Sequence, residues 1–211
     1  MPRQNRVTPF GEIVAYPERG AFMGNRGVLL DPHGYLTCRR WSTPAWIICV
    51  LEFKGRRIPV AAPGHNTQLF FLDEATALAA GHRPCGECRR ADFDRFKSLW
   101  LDANPRLIPE PHPGIRQIDR ILHAERVHPR QGTKVTYRED IGALANGVFI
   151  TLEDERAAYL VWGDALWRWT PRGYNEPASR PRNMIATVLT PRSVARTLAA
   201  GYVPVVHTSL A

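Results

Sequence analysis

The residues best suited to chemistry lie in one short stretch, Gly81-His82-Arg83-Pro84-Cys85-Gly86-Glu87-Cys88-Arg89-Arg90. A Cys-x-x-Cys pair in a turn sets two thiolates on the same side, close to the tetrahedral edge that zinc requires. Gly86 lets this turn tighten so that backbone amides point at the sulfurs. The alternative is a thioredoxin-like redox pair, but that motif opens a helix after a strand, whereas here a helix is expected before the cysteines. A zinc site needs about two more ligands, and Cys38 and Cys49 are the other cysteines of the chain. On adjacent strands, Cys38 and Cys49 would converge with Cys85 and Cys88 into a closed four-thiolate site. Cys49 also reads as a small buried core residue. His33, His65 and His82 are substitute ligands near in sequence, and His123 and His128 are more distant ones.

The longer stretch Asn66–Arg90, which contains Ala79-Ala80-Gly81-His82-Arg83-Pro84-Cys85-Gly86-Glu87-Cys88, resembles the second half of the Ada-type zinc-binding domain. In that family a strand, a short Ala-rich helix and a Gly-aromatic-Arg-Pro-Cys-x-x-Cys turn follow one another. The resemblance implies a zinc ion held by thiolates, with Cys85 and Cys88 as the later ligand pair, and a domain that faces DNA phosphates. The family's earlier cysteine pair is closely spaced, whereas Cys38 and Cys49 flank Trp41, Trp46 and an apolar run. No residue matches the local motif of the family's methyl acceptor, so that reaction is not implied.

A second candidate is the segment Asp119-Arg120-Ile121-Leu122-His123-Ala124-Glu125-Arg126 on an expected helix. Asp119 and His123 are four residues apart and share a helix face. A carboxylate that orients an imidazole is an acid–base device, although a solvated face with a pair of little consequence is the simpler reading of the spacing. Glu125 points to another face. Glu52 follows the strongest apolar run; buried, it would be an acid or base with a raised pKa, and otherwise a partner for Arg56 or Arg57. Trp162, Trp167 and Trp169 with Arg168 and Arg172 suggest a stacking platform for bases, or tryptophans packed in a small antiparallel core.

These groups need a scaffold. Short strands are expected around Gly11–Tyr16 and Gly27–Leu30, and Met23–Gly27 reads as a turn, with a backbone nest for an anion as its alternative. The apolar run Trp46–Phe53 reads as a central strand buried on both faces, with a hairpin partner around Arg57–Ala61. Gln68–Leu72 is a further strand. Asp73 caps a helix over Glu74–Ala80 that Gly81 ends, and Ala91–Ala103 is helical by its apolar spacing. Four prolines at 105–113 suggest a linker between a portion at 1–104 and another at 114–211. A helix is expected at Gly114–Val127, strands at Gly147–Leu152, Ala158–Trp162, Leu166–Trp169 and Met184–Leu189, and a helix at Pro191–Ala200, with Pro177–Arg182 irregular. The fold class is α+β: a zinc-stabilised N-terminal α/β portion and a small antiparallel β-rich C-terminal portion.

The 211 residues carry a net charge of +8, and only Lys54, Lys97 and Lys134 of the 28 cationic side chains are lysines. Arginine suits phosphate through its planar fork, although a GC-rich genome gives the same bias. No apolar run spans a membrane and the first residues lack a signal-like apolar core, so a reducing cytoplasm is expected, where thiols stay free for metal. The reading is a zinc-containing nucleic-acid-binding protein, with DNA and a role in its repair or processing suggested by the resemblance alone. Phosphate contacts are expected from Arg39, Arg40, Arg83, Arg89 and Arg90, which flank the cysteines. One rival is a hydrolase acting on nucleic acid or a nucleotide through Asp119, His123 and Glu52 or Glu125. Another is a protein in which zinc stabilises a partner-binding core.

Overall fold

A computed structural model describes residues 1–56, 60, 62–110, 113–152 and 156–210. The chain is α+β, with one mixed and one antiparallel sheet of six strands each. The mixed sheet takes β1 (Gln4–Val7), β2 (Ile13–Ala15), β3 (Phe22–Asn25), β4 (Ile47–Cys49), β5 (Leu69–Phe71) and β6 (Arg83–Pro84), in the order β2-β1-β5-β3-β4-β6. The antiparallel sheet takes β7 (Tyr137–Asp140), β8 (Phe149–Thr151), β9 (Tyr159–Trp162), β10 (Ala165–Thr170), β11 (Gly173–Ser179) and β12 (Ile185–Val188), in the order β11-β10-β9-β8-β12-β7. Among the described residues four helices accompany them: α1 (Glu74–Ala79), α2 (Arg90–Ala103), α3 (Ile115–Arg126) and α4 (Arg192–Ala199). None of the described helices is long and apolar enough to cross a membrane.

One apolar cluster takes residues from both sides of the proline-rich segment. Leu29, Ile48 and Leu78 join Trp100 of α2, Ile118 and Leu122 of α3, and Ile150 and Val188 of the second sheet. The amphipathic spacing of α2 puts Phe96 and Trp100 in this cluster. Tryptophans 162, 167 and 169 pack on a second cluster around Phe149 and Leu160, and Trp169 donates from Nε1 to Thr76 Oγ1 at 3.2 Å. They serve the core rather than forming a bare stacking strip.

α1 is short yet tightly fixed. Asp73 caps it, accepting from Thr76 N at 2.8 Å, and also accepts from Tyr174 OH at 2.6 Å and His207 N at 3.0 Å. Glu74 accepts from Tyr202 OH at 2.6 Å and Val205 N at 3.0 Å, and pairs with Arg89 at 2.9 Å. Carboxylates at a helix start suit the dipole, and here both also bind the C-terminal segment.

The run Trp46–Phe53 departs from its expected form. Only Ile47–Cys49 is a strand, one place from the sheet edge, and Leu51 is half exposed. After Cys49 the Val50 amide turns to the Cys88 sulfur instead of a neighbouring strand. The expected hairpin partner around Arg57–Ala61 falls mostly outside the described residues. Pro177, placed in an irregular stretch, lies in β11, where the edge position leaves its missing N–H without consequence.

Candidate metal centre and basic cleft

The metal turn is built by one parallel pairing. β6 runs beside β4 with Ile47 opposite Arg83 and Ile48 opposite Pro84, and Cys85 N donates to Ile48 O at 2.9 Å. This register carries Cys85 alongside Cys49, and the turn returns Cys88 to the same place. The ligand atoms of Cys49, Cys85 and Cys88 all lie within 4.8 Å of one another; two sulfurs on one tetrahedral zinc sit ~3.8 Å apart. Three close thiols can therefore hold a metal ion. The Cys49 thiol donates to Cys85, which pulls the Cys85 thiol down to about 5 and pushes Cys49 up. The amides of Glu87 and Cys88 also face the Cys85 sulfur, while burial pushes Cys88 up.

Two expectations need correction here. Cys38 does not join the group: it is exposed and lines a different surface, because the loop carrying it leaves the sheet before β4 begins. Nor does a histidine take its place among the described residues. The four-thiolate cage thus reduces to three cysteines. Gly86 is not at positive φ, and a Cβ there would meet the Phe93 ring at an ordinary 3.6 Å, so an alanine fits the turn.

The glycine that matters is Gly81. Its φ is +91°, and an added Cβ would lie 2.5 Å from Arg126 Cδ. Its carbonyl accepts from Arg126 Nη1 at 2.8 Å.

The predicted phosphate contacts divide sharply. Arg83 and Arg89 are buried and committed, Arg83 to Asp119 and Arg89 to Glu74 and Asp92. Arg90 is exposed but pairs with Asp94. Arg39 and Arg40 are exposed and line an open cleft of about 780 Å³ with Trp41, His123 and Arg130.

The acid–base constellation does not assemble. Asp119 is buried in its bidentate pair with Arg83. His123 instead meets Arg126, with Nδ1 2.9 Å from Nη2, and stands edge-on to Trp41. Burial and the Arg126 charge pull His123 down to about 4, so it is neutral near pH 7. Glu125 accepts from the Ser193 amide and hydroxyl at the start of α4. Glu52 is exposed. These four residues therefore form no common catalytic group.

Sequence reasoning passed over a set of buried cations. Arg26 and Arg126 are each 2% exposed and both stack on the Trp46 ring, at 4.0 and 3.9 Å from its centroid. Arg26 Nε also contacts His82 Nε2 at 3.3 Å, and burial holds His82 well below its ordinary pKa. Cation–π contacts give about 2 kcal/mol each when desolvated, less than the several kcal/mol lost on burying an unpaired ion. Stacking alone does not offset the burial. The nearest sequence signal was Met23–Gly27, where the side chain of Arg26, not a backbone nest, carries the charge.

No protein-family model, curated protein or solved structure significantly matches this chain.

Proposed function

We propose that this is a zinc-containing protein that binds nucleic acid in the cleft lined by Arg39, Arg40, Trp41, His123 and Arg130. The observation that carries the reading is this cleft itself, where exposed arginines stand beside an indole. Guanidinium groups neutralise phosphates and an aromatic face stacks on a base, the pairing used for single strands. The likeness of Asn66–Arg90 to the Ada-type domain supports DNA as the ligand and repair or processing as the setting.

Zinc suits the donor set because three soft thiolates favour it over hard divalent cations. Cys49, Cys85 and Cys88 would hold it and so lock β4 to the turn after β6. The fourth position would belong to a ligand other than Cys38.

The test is a titration of fluorescent single- and double-stranded DNA and RNA at several salt concentrations. Affinity should fall steeply with salt, and Arg39→Glu with Arg130→Glu should weaken binding while leaving the fold intact. A flat salt response, or equal affinity in the double variant, overturns the reading.

A further inference from the structure

Beneath the cleft lies a smaller cavity of about 30 Å³, roughly twice the space that one water needs. Arg40, Trp41 and Gly132 belong to the walls of both, so the cavity adjoins the cleft floor. Arg26, Arg126 and Lys134 also line it. They arrive from the end of β3, the last turn of α3 and the segment that follows α3.

No carboxylate among the described residues forms an ion pair with any of these three. The closest acids along α3 are already taken: Asp119 by Arg83 and Glu125 by Ser193. Two guanidinium donors of the lining residues are also unused. Arg26 Nη2 and Arg126 Nε are buried without a hydrogen-bond partner. The Arg26 Nη2 atom lies 3.8 Å from where a Cβ on Gly11 would sit, and Gly11 is itself part of the wall. Lys134 Nζ donates to Ala79 O at 2.7 Å, which leaves two of its three protons for a ligand. Arg40 contributes a further guanidinium, anchored by Nη1 to Gly132 O at 3.1 Å.

A buried site with several positive charges, spare N–H groups and no acid is completed by an anion. We propose that this cavity binds one phosphate group, either free or at the end of a nucleotide or nucleic-acid strand, through Arg26, Lys134 and Arg40, with Arg126 adding charge from the cavity wall. A phosphate dianion matches the excess charge better than a single halide does, and its oxygens accept from several donors at once. Because Arg40 and Trp41 line both cavity and cleft, a phosphate held here sits next to the cleft into which an attached nucleoside would extend. This inference stands apart from the nucleic-acid reading, because inorganic phosphate alone fills the pocket.

The experiment uses the whole chain with its metal, and follows thermal unfolding and calorimetric binding with inorganic phosphate, against sodium chloride at matched ionic strength. Saturable stabilisation by phosphate and none by chloride is the expected result. Lys134→Met and Arg40→Met should each weaken phosphate binding about tenfold or more; Arg40 is exposed, so its variant tests the site even if a buried change impairs folding. Equal stabilisation by chloride, or unchanged phosphate affinity in both variants, overturns the proposal.

Further arms locate the source of the phosphate. Tighter binding of a nucleoside 5′-monophosphate than of the nucleoside, and of a 5′-phosphorylated oligonucleotide than of its 5′-hydroxyl form, assigns the pocket to a terminal phosphate. Phosphate binding with no oligonucleotide binding leaves the pocket standing and removes the nucleic-acid reading. Oligonucleotide binding indifferent to a 5′-phosphate, with no effect of inorganic phosphate, does the reverse.

Discussion

Arg83 and Asp119 face each other inside the protein through two parallel hydrogen bonds, Nε to Oδ1 and Nη2 to Oδ2, both 2.8 Å long. The bond joins the strand that enters the metal turn to the middle of α3. Asp119→Ala leaves the Arg83 charge buried and unpaired, and should destabilise the protein by about 3–5 kcal/mol. Chemical denaturation of the two proteins measures this directly. Unchanged stability would mean that the pair adds nothing to the fold.

Metal content should separate the cysteines. Cys49→Ser, Cys85→Ser and Cys88→Ser should each lose the metal, whereas Cys38→Ser should keep it, because Cys38 is exposed and outside the group. Elemental analysis of the purified variants gives the answer. In the wild-type protein, a thiol reagent should modify Cys38 first and the other three only after chelation. Metal loss on replacing Cys38 would restore the four-thiolate site.

The two glycines of the metal segment should respond differently to alanine. Gly81→Ala forces a positive φ on a side chain and drives its Cβ into Arg126, and should cost on the order of 1–3 kcal/mol. Gly86→Ala meets only the face of the Phe93 ring at a comfortable distance, and should fall within about 0.5 kcal/mol of wild type. Thermal denaturation of both variants is sufficient.

Lys134 gives the protein a pH dependence. Burial, with Arg26 and Arg126 close by, pulls its ammonium down to about 7, from about 10.4 in an unfolded chain. Arg26 faces it from β3, Arg126 from α3 and Arg40 from the cleft loop, and none of them compensates its charge. Between these two values the unfolded chain binds more protons than the folded one, so the contribution of Lys134 to stability rises with pH across that window. Below about pH 7 its full penalty is present. Denaturation from pH 6 to 9 should show a weaker rise in Lys134→Met, and a bound phosphate should be accompanied by proton uptake near pH 8. Identical pH profiles for the two proteins would show that Lys134 titrates normally.

Much of the local structure was legible because local rules govern it. Asp73 caps α1 and Gly81 ends it, as their residue types require, and the apolar spacing of α2 leads Phe96 and Trp100 inward. The Cys85–Cys88 turn was legible for the same reason. Pairings between distant segments were not. Nothing in the Trp46–Phe53 pattern says that Cys49 lies beside a two-residue strand rather than within a long one, and nothing near Cys38 says that it turns away. Arg83 and Arg89 looked available because charge alone does not reveal that Asp119 and Glu74 are waiting inside. Lys134 belongs to no motif and Arg126 closes the Asp119–Arg126 segment without a role of its own, and only the closure of α3 against the first sheet brings them to Arg26.

The grip of Tyr202, Val205 and His207 on Asp73 and Glu74 has a practical outcome. The short helix that leads into the Cys-x-x-Cys turn is moored by the last stretch of the polypeptide, more than a hundred residues later in the sequence. Cleavage before residue 202, or crowding at residues 202–207, would therefore be felt at the sulfur cluster.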